Sequence, residues 1–228
     1  MSQQAGVPVY LEIGRKRTFA GAIRWPGWCR SARDEASALQ ALVDYAPRYA
    51  RALQSVRLAF EIPGSRADLV VEERLSGTST TDFGAPAVTP EADQPTIRGQ
   101  ELGRLDAVLT ASWLAFEDAV SAAEGKTLRK GPRGGGRDLP GIVNHVVQAN
   151  EAYLRKLAWR PDLDPSSAPA DQLGQLREEV SRALAAAAAG DLPSTGPRGG
   201  KLWAPRFFVR RAAWHMLDHA WEIEDRIL

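Results

Sequence analysis

Hydrophobic and polar positions follow no single period over the first third of the chain. Apolar residues cluster in two short runs, VPVYLEI at Val7–Ile13 and TFAGAI at 18–23, whose length and β-branched or aromatic content predict strands. From Asp34 the period changes. Ala38, Leu39, Leu42, Tyr45 and Ala46 recur at helical spacing behind an Asp34 N-cap and Glu35 in the first turn, which predicts a helix with Pro47 as a candidate kink inside it. Residues 56–62 and 68–75 then read as strands, the second alternating Leu69, Val71 and Glu73 with Val70, Glu72 and Arg74. Residues 1–75 thus describe a small α/β unit. The next stretch, SGTSTTDFGAPAVTPEADQP at 76–95, is rich in Gly, Pro, Ser and Thr and reads as a linker.

Beyond the linker the pattern is helical throughout, in four segments divided by Gly/Pro breaks. The first, 96–123, carries Leu102, Leu105, Leu109, Trp113, Phe116 and Val120 on one face. The second covers 141–159. The third, 170–189, contains an alanine run stopped by Gly190, and the fourth covers 205–228. Four helices joined this way over 96–228 predict a mainly α protein with an up-down four-helix bundle, an architecture whose core can house metal sites. The pentapeptide GPRGG occurs twice, at 131–135 and 196–200, before the second and fourth segments. Placed at helix N-termini, with Arg133 and Arg198 beside free N–H groups, the two loops are candidate holders of an anionic substrate.

Composition narrows the classes. The 228 residues are 44% hydrophobic and 25% charged, which excludes disorder over the whole length. Lys+Arg (29) and Asp+Glu (28) nearly cancel, so the basic clusters at 126–137 and 198–211 give no general attraction to nucleic acid or anionic membrane. No apolar run is long enough to span a bilayer. The single Cys29 fits a reducing, cytoplasmic setting, and without a nearby histidine to act as its base it is expected to be a packed residue.

The histidines change the picture most. There are three, His145 on the second bundle segment and His215 and His219 four apart on the last. A spacing of four puts two imidazoles on one helix face, one turn apart, and His145 sits on an apolar stripe with Ile142, Val146 and Ala149. Three nitrogen ligands on two helices would hold a divalent ion and leave a coordination position open for chemistry. Zinc and nickel are the first expectations, though the donor set also admits iron, cobalt or copper. Glu222, three residues after His219, is the candidate fourth ligand, ligand partner or catalytic base, with pairing to Arg226 or Arg211 as its ordinary alternative; Asp218 points about 80° off the histidine bisector. Gln148 and Tyr153 are candidate pocket residues. Trp214, Leu217 and Trp221 form a separate stripe, read as core packing or a homodimer contact.

These residues resemble the DinB/YfiT-like family of metal-dependent enzymes, four-helix bundles in which one histidine on the second helix and an H-x-x-x-H pair on the last bind a divalent metal. His145 in GIVNHVVQANEAYL matches the first, and His215 and His219 in WHMLDHAWEIEDR match the pair. The resemblance covers roughly residues 95–228. It implies either a thiol-dependent S-transferase or isomerase, working with a low-molecular-weight thiol such as mycothiol or bacillithiol, or a hydrolase acting on a small-molecule substrate. The first 75 residues resemble a HicB-type domain through FAGAIRWPGW, C-R-S-A and the helix at Asp34. That likeness implies a small sheet with one helix, and it raises the alternative of a non-enzymatic binding protein that recruits a partner through the surface around residues 25–28.

Overall fold

The first apolar runs form strands that are buried on both faces. In the computed structural model, which describes residues 6–130, 136–164, 166–196 and 199–228, β1 (Val7–Ile13) pairs antiparallel with β2 (Thr18–Ala22), and β2 pairs antiparallel with β3 (Cys29–Ala32). Alternate side chains of a strand point to opposite faces. Val9, Leu11, Ala20 and Ala22 therefore share one face, and Tyr10, Glu12, Phe19 and Cys29 share the other. All eight are buried, which is why the sequence shows a continuous apolar run instead of a clean alternation.

The helix α1 (Glu35–Gln54) starts at Asp34, whose side chain accepts from the Ser37 N–H at 2.8 Å. It runs unbroken through Pro47, which is exposed, so the carbonyl freed one turn earlier can be met by solvent. The helix covers the Val9 face, and Trp28 Nε1 donates to the Leu42 carbonyl at 2.8 Å. The expected strand at 56–62 does not form. Val56, Leu58 and Phe60 do alternate inward, but Phe60 packs its ring against Trp25, Trp28 and Tyr49, and no partner strand is paired to the segment. Burial alternation without a ladder produced the strand-like pattern. The fourth strand, β4 (Leu69–Ser76), lies parallel to β1 at the sheet edge, giving the order β3-β2-β1-β4.

The stretch read as a linker is folded and packed. It contains α2 (Ser79–Phe83) and a 3₁₀ turn at Glu91–Asp93, and it buries Thr81, Pro86, Pro90 and Asp93. Polar anchors make this possible: buried Glu12 accepts from the N–H groups of Ala87 and Val88 and from the Thr81 hydroxyl. Asp93 in turn receives two hydrogen bonds from Arg210, both at 2.7 Å.

Four long helices follow: α3 (Gln100–Ala123), α4 (Leu139–Lys156), α5 (Pro169–Ala189) and α6 (Pro205–Arg226). The Asp138 side chain caps α4 through the Gly141 N–H, and Gly190 in the left-handed region ends α5. Among the described residues the chain is thus mainly helical, with six α-helices and one four-stranded sheet. The helix α6 is buried almost all round, because it packs on α3 and α4 and also backs the second face of the sheet. Phe19 meets Trp214 edge-on at 6.0 Å, and Tyr45 meets Trp221 at 5.1 Å. Gly27 sits where the turn before β3 touches α6: its φ is +90°, and a Cβ there would lie 3.0 Å from Ala213 Cβ. The Trp214, Leu217 and Trp221 stripe is therefore spent on packing inside the chain. One hydrophobic core runs from Val9 and Leu42 through Trp113 to Ile223.

Candidate metal centre

The helices α4 and α6 bring the three histidines together. His145 lies two turns into α4, half-buried, while His215 and His219 lie one turn apart on α6, 5% and 9% exposed. Each offers one ring nitrogen to a group whose members all lie within 4.8 Å of one another. His145 Nε2 and His215 Nε2 are 3.2 Å apart. Tetrahedral ligands at about 2.1 Å stand about 3.4 Å from each other, so this pair already has the separation that a shared ion requires. The imidazoles pack edge to face, with ring centroids 4.6–5.0 Å apart.

Burial keeps His145 and His215 neutral and thus able to ligate. Removal from water pushes the imidazole of His145 down to about 4, and it pushes His215 well below the ordinary value, with mutual repulsion and Arg211 acting in the same direction. Two neutral imidazoles with their Nε2 atoms face to face can share only one proton between them. A cation suits that arrangement better, since both lone pairs then have a partner.

Glu222 fixes the third ring. Its Oε2 accepts from His219 Nδ1 at 2.8 Å, which leaves Nε2 of that ring as the free donor. The hydrogen bond from His219, together with Arg226, holds the carboxyl below its usual range and so makes Glu222 a weak base. Arg226 donates to Glu222 Oε1 and to the carbonyls of Arg129 and Arg137, tying the site to the segment before α4. Glu222 thus pairs with Arg226, as its ordinary alternative anticipated, and with His219 as well. Asp218 faces away and pairs with Arg30 at 2.7 Å.

Of the remaining candidates, Tyr153 stands at the site, its ring 5.6 Å from that of His215 and also packed on Trp203. Gln148 is exposed on another side of α4. Arg133 and Arg198 lie outside the described residues. From the sequence, Arg211 is a possible partner of Glu222 and the last residue of the basic cluster at 198–211. It sits one turn before His215 on the same stripe of α6, buried between Tyr153 and Trp214, and that i−4 spacing was the signal that could have found it. Around residues 25–28, Pro26, Gly27 and Trp28 are buried, while Trp25 is half-buried against the core. Within the basic clusters, Arg206 pairs with Glu101 and Arg210 with Asp93. Among the described residues, no helix is long and apolar enough to cross a membrane. No protein-family model, curated protein or solved structure matches the chain.

Proposed function

We propose that the chain is a divalent-metal-binding protein of the DinB type, with α3 to α6 as its four-helix bundle and His145, His215 and His219 as ligands, and that it is a cytoplasmic metal-dependent enzyme. The observation that carries this reading is the convergence of the three histidine nitrogens within 4.8 Å. Two further features support it: the free Nε2 of His219, set by Glu222, and the resemblance of the two histidine segments to the DinB pattern. Zinc or nickel suits a set of three imidazole nitrogens. A divalent ion held there would act as a Lewis acid, lowering the pKa of a thiol or a water molecule.

The chain's own residues do the rest. Glu222 orients His219, and Arg226 orients Glu222. Tyr153 packs its ring beside His215 and is backed by Trp203. Three protein ligands leave a position open for a small substrate or a low-molecular-weight thiol, so the reaction classes are S-transfer or isomerisation with a thiol, and hydrolysis.

Elemental analysis of protein purified without a nickel column tests the reading. It predicts a near-stoichiometric ion in the wild type that is lost in both His145→Ala and His219→Ala. A wild type that is metal-free and takes up no zinc or nickel on dialysis would refute it.

A further inference from the structure

We infer that Arg211 anchors the carboxylate of a small anionic ligand whose other end reaches the histidine cluster; this deepens the metal reading above, on which it rests, by naming the class of molecule the site takes. Arg211 is 9% exposed, and its Nη1 is buried without a hydrogen-bond partner. The rings of Tyr153 and Trp214 flank the guanidinium at 5.1 and 4.5 Å from Cζ. They flank its plane and leave Nη1 without an acceptor.

Among the described residues, no carboxylate forms an ion pair with it. Glu12 and Asp218 are the acids whose field reaches Arg211. Glu12 is committed to Thr81, Ala87 and Val88, and Asp218 to Arg30. The residues outside the description, 1–5, 131–135, 165, 197 and 198, include no Asp or Glu.

A buried guanidinium stays charged, so its cost cannot be relieved by losing a proton. Set one turn from a place for a divalent cation, it concentrates positive charge that only an anion from outside offsets. The planar fork of donors matches a carboxylate in two-point contact. The distance to the histidines sets the ligand's length: four residues along a helix rise about 6 Å. Tyr153 touches both Arg211 and His215, so the anchor and the cluster share one wall. The ligand is therefore a short carboxylate that carries its metal-directed group two or three bonds away.

Two arms test this, using wild type, Arg211→Met and Arg211→Lys. In the first, metal-free protein is melted in sodium sulfate and in sodium chloride of equal ionic strength. Sulfate is expected to raise every midpoint above that in chloride by exclusion from the surface, and the wild type by a further increment that Arg211→Met loses and Arg211→Lys partly keeps. In the second, cobalt-loaded protein is titrated with 3-mercaptopropionate and with 2-mercaptoethanol, followed by the cobalt absorption bands. The wild type should bind the carboxylated thiol at least tenfold tighter, while Arg211→Met binds both alike with its cobalt spectrum intact. Equal affinities in the wild type, or a sulfate increment in Arg211→Met as large as that of the wild type, overturn the inference. If the protein retains no cobalt, the metal reading fails, and the sulfate arm alone decides whether Arg211 is an anion anchor.

Discussion

Replacing Asp93 with Asn should destabilise the protein far more than its position in a Gly/Pro/Ser/Thr-rich stretch suggests. Arg210 and Asp93 are each 3% exposed and share two hydrogen bonds at 2.7 Å. Arg210 also donates to the carbonyls of Ala22 and Ile23, so one guanidinium joins α6, the end of β2 and the 76–95 stretch. Its charge cannot be discharged: burial disfavours the charged form, but the hydrogen bonds and charge of Asp93 outweigh it, and a guanidinium keeps its proton at any ordinary pH. Removing the carboxylate leaves a buried cation with only carbonyl partners, a change that costs about 3–5 kcal/mol in comparable buried pairs. For a chain of this size each kcal/mol lowers Tm by about 2–4 °C, so the drop should fall between roughly 6 and 20 °C. Urea unfolding of Asp93→Asn, Arg210→Met and the double variant is the assay. The reasoning expects the single variants to lose comparable stability and the double variant to recover part of it, with the denaturant slope unchanged. A loss below about 1 kcal/mol in Asp93→Asn would refute it and make the 76–95 stretch a tether after all.

Glu222→Ala should weaken zinc binding by about 10–100-fold, since the ring of His219 loses the acceptor that sets its tautomer; competition with a chromophoric chelator measures this, and an unchanged affinity counts against the role. Acid should destabilise the metal-free protein. His145 and His215 titrate below the unfolded value of about 6.5, so the unfolded chain binds protons that the folded chain refuses, and stability present above about pH 6.5 is lost as the pH falls toward 4. Urea midpoints at about pH 7.5 and about pH 5 check the sign, and the decline should shrink when both residues are replaced by Asn. Cys29, fully buried with its thiol pushed up to about 12 by burial, should resist alkylation in the native protein and react at once in denaturant; rapid native labelling would contradict the packing.

The helices were legible because their period is sustained. The α3 and α6 faces, the Asp34 cap and the Gly190 stop each appear as local signals that the fold obeys. Elements whose cause is distant were not legible. β3 is four residues long and exists because β2 supplies its ladder, and α2 forms in a polar stretch whose Thr81 is needed by Glu12, 69 residues away in sequence. The stretch at 56–62 failed in the opposite sense, since alternation records burial and not pairing. At the site, the histidines could be found from their rarity and their spacing of four. Arg211 could be placed beside them by the same spacing, but that it is unpaired shows only when the neighbouring acids are seen to be committed elsewhere.

X-ray absorption at the zinc edge of the zinc-loaded protein tests the central claim most directly. The account predicts three imidazole nitrogens at about 2.0–2.1 Å with one exchangeable oxygen ligand, and loss of one imidazole in His145→Asn. A shell without imidazole scattering, or one unchanged by substitution of His145, would contradict it.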